Sequence, residues 1–283
     1  MNLLQDMTTW RFWRHFLTGF FFCLGAVSTV QQIGTAISKD IVIFSGYPFL
    51  ALTLTIAILG SLYWSWPRPI EQTYNTPNIK ISIIKGNILT ESTHLVIGTN
   101  DTFDMETPII IANGSLQGQA LAILYGNDIN RLKADIDSAL VAKPIIGTIA
   151  KNGNVNQYGI GAIATVNHAA RLLFFLAYCE MNSNNEASSS PDKIWKSLGC
   201  LWSEVSRTSN GGTISVPVIG GGQARLSNIL PAQDAIRFTI LSFILASRQS
   251  RVCEELRIIV RPEDYKKLDR LELQAFLSSL RSS

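Results

Sequence analysis

The chain has 283 residues, about twice the ~150 of an average domain, with 47% apolar residues, only 16% charged and a formal net charge of +3. That composition excludes a disordered chain, because the apolar content can bury enough surface to offset chain entropy. The small charge excess is spread along the sequence, without the basic clustering of a nucleic-acid binder. Cys23, Cys179, Cys200 and Cys253 are scattered without close pairing, which excludes a disulfide scaffold.

Mean hydropathy is positive at +0.19, and the apolar excess sits at the N-terminus. Residues 16–33 and 41–66 carry no charged side chain, and ~18–20 helical residues cross a ~30 Å hydrocarbon core. A short connector, 34–40, favours a tight helical hairpin. Trp10, Phe12 and Trp13 precede the first stretch, and Tyr63, Trp64 and Trp66 close the second, where interfacial aromatics belong. Arg11 and Arg14 on one side, and Arg68, Lys80 and Lys85 on the other, outweigh Lys39 in the connector. The expectation is a multi-pass protein of the bacterial inner membrane with both termini cytoplasmic. A cleavable signal peptide fits poorly, because no small-residue cleavage pattern ends the first stretch and a longer one follows. Ser45, Gly46, Thr53, Thr55, Gly60 and Ser61 form a small and polar stripe on the second stretch. It serves either packing within the hairpin or contact between hairpins.

Residues 67–78 read as a Pro-rich polar linker, so that the organisation is hairpin 1–66, linker 67–78 and domain 79–283. In the domain, short apolar runs, most of them β-branched, predict strands at 79–84, 94–98, 145–150, 158–165, 172–178, 212–218 and 256–260. Helical patterns cover 116–124, 128–139, 191–206, 231–247 and 262–280, with Asp128 as an N-cap and Pro191, Pro231 and Pro262 near helix starts. The alternation predicts an α/β fold, a mixed or parallel sheet covered by helices. With no signal for secretion, its cysteines are expected reduced.

The strongest chemical signal is Ser215–Leu226, SVPVIGGGQARL. A short strand runs into Gly220, Gly221 and Gly222, followed by Gln223, Ala224 and Arg225, shortly before a long helix. Such a loop at a strand's carboxyl end suits a phosphate or diphosphate; a plain flexible connector is the competing account. It is not a Walker A loop, since no Gly-Lys-Ser/Thr follows, and the glycine spacing is not that of a Rossmann fingerprint. Asn87 and Ile88 follow the first strand, Asn100 and Asp101 the second, and Ser115, Leu116, Gln117 and Gly118 precede a helix. Together these segments outline a cleft at one edge of a sheet.

Ile81 to Ile88 (Ile-x-x-x-x-Gly-Asn-Ile), Val96-Ile97-Gly98-Thr99-Asn100-Asp101-x-Phe103-Asp104, the 115–118 turn and Pro217-Val218-Ile219-Gly220-Gly221-Gly222 occur in the order found in a macro domain. The chain resembles the divergent macro domains that follow a two-helix membrane hairpin in type II Thoeris anti-phage systems. The resemblance implies a macro-like three-layer α/β/α domain with a mixed sheet. It also implies an ADP-ribose-derived ligand, a histidine adduct made by a TIR-domain partner, held between residues 115–118 and 220–225. Sensing of that signal, self-association and disruption of the inner membrane would follow. Two departures from the general macro pattern matter. Asn87 stands where an aspartate is usual, so an amide oxygen is left to meet the adenine amino group. The catalytic glycine run is absent, with Phe103-Asp104-Met105-Glu106 in its place, so ligand binding rather than hydrolysis is expected, with Phe103 a candidate to stack on a ring. The alternative is a membrane-tethered hydrolase of ADP-ribosyl or O-acyl-ADP-ribose esters; a tethered protein-interaction domain is the third account.

No metal site and no resident cofactor are expected: His15, His94 and His168 lack metal-ligand spacing with Cys, Asp or Glu. His168 follows a strand and is a candidate to line the cleft. No Gly-x-Ser-x-Gly turn supports a serine hydrolase.

Overall fold

The computed structural model describes residues 7–8, 10–37, 46–66, 69–220 and 229–281. Two units result, one built on the helices before residue 69 and the other on residues 70–268 and 273–281.

In the first unit, α1 (Trp10–Ile37) takes in the aromatic run ahead of the first uncharged stretch, and α2 (Tyr47–Trp64) starts after Gly46 with a proline in its first turn. Both are long and apolar enough to cross a membrane. The hydroxyls of Thr18, Thr53 and Thr55 donate to the carbonyls of Arg14, Phe49 and Ala51 at 2.8, 2.9 and 2.8 Å. A hydroxyl satisfied inside its own helix adds no unpaired group to an apolar surface. Of the small-residue stripe, Gly60 faces Cys23 and Ser61 faces Gly19, so these two positions serve packing within the helix pair. Ser45 and the last three residues of the connector, 38–40, lie outside the described residues.

The second unit is a mixed sheet in the order β1-β2-β10-β9-β3-β7-β6, with β8 paired to β7. Its strands are β1 (Ile70–Asn75), β2 (Asn78–Lys85), β3 (His94–Asn100), β6 (Ile163–His168), β7 (Arg171–Met181), β8 (Ala187–Ser188), β9 (Ile214–Pro217) and β10 (Glu255–Val260); β4 (Gly147–Thr148) and β5 (Asn156–Gln157) form a separate two-stranded pair. The five middle strands are parallel, and β1, β6 and β8 pair antiparallel at the margins. Strand pleat sorts the side chains to two faces. Val96, Phe174 and Leu176 join one core with α5 (Pro191–Thr208), α6 (Ala232–Gln249) and Leu273 and Leu277 of α8 (Arg270–Ser279). Leu95, Ile97 and Phe175 join the other with α3 (Leu116–Tyr125) and α4 (Ile129–Leu140). The result is three layers, helices on both faces of the sheet. Trp202 anchors the first core, its indole N–H donating to the Ser242 hydroxyl at 3.0 Å and its ring meeting Phe243 at 5.1 Å.

Several elements differ from the sequence reading. Residues 70–75, expected as linker, form β1, because Ile70, Gln72 and Tyr74 alternate inward over the core. The expected strand at 145–150 shrinks to Gly147–Thr148, with Ile145 and Ile146 exposed. The strand expected from 158 begins only at Ile163, since Gly159 and Gly161 take φ of +80° and +91° and break the extended run. The last helix divides into α7 (Pro262–Tyr265) and α8, whose start is capped by the Asp269 carboxylate on the Glu272 N–H at 3.0 Å.

Candidate functional site

Because β2, β10, β9, β3 and β7 run the same way, their carboxyl ends gather at one edge, and a cavity of about 780 Å³ opens there. Crevices outside such strand ends are where open α/β sheets hold ligands.

At the end of β2, Asn87 caps a short turn, Ile88–Thr90, its Oδ1 accepting the Leu89 N–H at 3.0 Å while Ile88 is buried. Asn87 and Ile88 both line the cavity. The cap takes one lone pair of the Asn87 oxygen for the backbone, which leaves the second lone pair and the donor Nδ2 for a ligand.

At the end of β3 the predicted residues divide. Asn100 lines the cavity and is 2% exposed; its Oδ1 accepts from the Thr102 N–H and the Asp104 N–H, both at 3.1 Å. Asp101 is built into the fold instead, accepting the Met181 N–H at 2.9 Å and the Gln157 amide at 3.1 Å. Burial pushes its carboxyl above the ordinary carboxylate range, against the pull of those two donors. Phe103, expected to stack on a ligand, is 1% exposed, takes φ of +52° and meets Tyr158 edge-on at 5.6 Å, so its ring belongs to the core.

Ser115 caps α3, accepting the Gly118 N–H at 3.0 Å, and Leu116 and Gln117 continue the wall. Gln117 also donates to the Asp104 carbonyl at 2.5 Å, tying this turn to the β3 loop. Gly118 lies behind the wall: a Cβ there would stand 2.5 Å from the Ala112 carbonyl oxygen, so its role is close packing. Pro217, Val218 and Ile219 bring β9 to the cavity, and Gly220 turns the chain with φ of +101°. Gly221, Gly222, Gln223, Ala224 and Arg225 lie outside the described residues.

The sequence did not reveal the rest of the wall. Tyr178, Cys179 and Met181 enter from β7, and Arg261, Glu263, Asp264 and Lys267 follow β10. Tyr178 lies over Gly98 of the neighbouring strand, so close that a Cβ on that glycine would stand 2.5 Å from the ring. Burial and the nearby Asp101 push the Cys179 thiol up to about 12, which keeps it protonated and a poor nucleophile. His168, a candidate for the cleft, instead sits 4.9 Å from the Tyr125 ring. His94 accepts the Leu172 N–H at 3.0 Å through Nδ1, and burial lowers its pKa. Among the described residues no group of three His, Cys, Asp or Glu side chains is placed to hold a metal ion.

The family profile described as "Thoeris protein ThsA, Macro domain" matches residues 81–261. The chain belongs to that family. Among solved structures, this ThsA-type macro domain is similar to the Oceanobacillus iheyensis macrodomain with ADP and to the same protein with MES bound. Each is 13% identical with a TM-score of 0.50, covering 75% of this chain and 99% of the other. At that identity the likeness establishes the fold. A search of curated proteins found no match.

Proposed function

We infer that this macro domain binds an ADP-ribose-derived nucleotide and acts as the sensor of an anti-phage defence system. The observation that carries the reading is the cavity itself. Its ~780 Å³ falls within the ~300–1,000 Å³ of small-molecule sites. Asn87 and Asn100 end strands three sheet positions apart, β2-β10-β9-β3, a span of about 14 Å at ~4.8 Å per position. A base at the Asn87 end, a terminal ribose at Asn100 and a diphosphate across the β9 loop fill that span. The macro fold, shared with a protein solved with ADP, and the Thoeris family profile point the same way.

Sensing rather than hydrolysis is favoured because both aspartates of the β3 loop are committed to structure, Asp101 to Met181 and Gln157 and Asp104 to Lys151. In this reading a TIR-domain partner makes the signal, a histidine adduct of ADP-ribose. The two apolar helices cross the inner membrane as a hairpin with both termini cytoplasmic. Ligand binding shifts the protein toward a self-associated arrangement that disrupts the membrane, which requires tighter binding to that arrangement than to the resting one.

The test is calorimetry on the full-length chain in nanodiscs with NAD, ADP-ribose and histidine-conjugated ADP-ribose, each recovered afterwards and checked for turnover. The conjugate is expected to bind most tightly and to be recovered intact. Steady cleavage would establish a hydrolase instead, and absence of binding by all three would overturn the nucleotide reading.

A further inference from the structure

The loop after β3 is held by a side chain that does not face the cavity. Asp104 is paired with Lys151, Nζ standing 2.8 Å from Oδ1 and 2.7 Å from Oδ2, and neither side chain reaches solvent. Asp104 Oδ2 also accepts the Thr102 hydroxyl at 2.6 Å, and Oδ1 the Asn154 N–H at 2.9 Å. Lys151 uses a further N–H on the Asn152 carbonyl at 3.1 Å, so the buried charges are fully hydrogen-bonded. Gly153 permits this approach: a Cβ there would stand 2.5 Å from Asp104 Oδ1, and its φ is +87°.

Such a pair gains little net stability over apolar residues of the same volume; what this one fixes is the geometry of the loop after β3. Here that geometry leads to Asn100. Its Oδ1 is fastened by the Thr102 N–H and by the Asp104 N–H, which leaves Nδ2 as the hydrogen-bonding atom of this side chain for the cavity. Lys151 and Asn154 come from the turn between β4 and β5, a part of the chain that contributes nothing to the cavity wall.

We propose that Lys151 and Asp104 are positioning residues: their buried pair orients the Asn100 amide nitrogen toward a hydroxyl of the ligand's terminal ribose and so creates preference for ADP-ribose over ADP. This rests on the ADP-ribose reading of the cavity. It places a specificity determinant in a lysine that never touches the ligand.

Affinities of the full-length chain in nanodiscs for ADP-ribose and for ADP test it. In Lys151→Met, binding of ADP-ribose is expected to weaken about fivefold to tenfold, the value of one well-placed hydrogen bond, while binding of ADP changes by less than about twofold. Asp104→Asn keeps an acceptor for Lys151 and the N–H for Asn100, and is expected to show the same split in smaller measure; it decides the matter if Lys151→Met does not fold. Equal loss for both ligands would mean a merely structural pair, and no loss for either would mean that the pair does not reach the site. Wild-type protein that binds the two ligands equally overturns this proposal alone. Wild-type protein that binds neither overturns the reading of the cavity as well.

Discussion

Gly98→Ala is the most direct probe of how the cavity is shaped. The added Cβ would stand 2.5 Å from Cε1 and 3.0 Å from Cδ1 of Tyr178, against ~3.5–4.0 Å for an unstrained carbon pair. The ring must therefore move by about 1 Å, and with Gly98 and Tyr178 both on the cavity wall the open direction is into the cavity. Forcing one extra methyl into a filled contact costs about 1–3 kcal/mol, and for a domain of this size each kcal/mol lowers Tm by about 2–4 °C. Thermal unfolding is expected to show a loss of about 2–12 °C, and calorimetry a weaker nucleotide affinity. The decisive comparison is the double variant Gly98→Ala/Tyr178→Ala. With the ring gone the methyl meets open space, so the double variant should match Tyr178→Ala alone, a coupling of about 1 kcal/mol or more. If the two losses simply add, or Gly98→Ala melts with the wild type, the ring does not need that glycine and the account of the wall is wrong.

Two other changes test separate parts of the site. In Asn87→Asp one oxygen keeps the cap on Leu89 and the other supplies the acceptor that Nδ2 cannot, so ADP-ribose should bind about three- to tenfold tighter. The hypoxanthine analogue, which lacks the amino group, should not gain, and equal gains would mean that the base does not meet this residue. The carboxyl of Asp101 is raised by burial above its ordinary 3.8, so the folded protein holds that proton more tightly than the unfolded chain. Its contribution to stability is greatest below 3.8 and is lost as pH rises through the raised value. Asp101→Asn removes that slope: in urea unfolding from about pH 3 to about pH 7, the variant should gain on wild type as pH rises above 3.8 and then level off, whereas a difference constant with pH would refute the assignment.

What could be read from the sequence was what depends on local pattern. The buried middle strands announce themselves as apolar runs, β-branched in β2, β3, β9 and β10 and Leu- and Phe-rich in β7, and Asp128 caps its helix where a polar residue precedes helical periodicity. The edge strand β1 was hidden because alternate residues, Glu71, Thr73 and Asn75, face water, and its polar composition after prolines imitates a linker. Ile145 and Ile146 misled in the opposite sense, since an apolar run carries no mark of whether anything will cover it. At the site, the turns at Asn87, Asn100 and Ser115 could be read because each ends or starts an element. Lys151 meeting Asp104 across 47 positions, or Tyr178 across 80 positions from Gly98, leaves no local trace. Contacts of similar range explain why Asp101 and Phe103, in a recognisable loop, turn inward: Met181, Gln157 and Tyr158 hold them there.

The sheet order has a consequence for synthesis. β10, the last strand made, lies between β2 and β9, so until residues 255–260 emerge the nascent sheet is split into a β1-β2 hairpin and a β9-β3-β7-β6 fragment. About 170 residues separate the end of β2 from β10, which at ~5–20 residues per second is a delay on the order of 10–30 s. Throughout that time the apolar helices at the N-terminus have already left the ribosome. The chain thus makes its apolar segment first and its cavity last. A chain truncated before residue 255 keeps both helices but has no joined sheet on which that cavity can form.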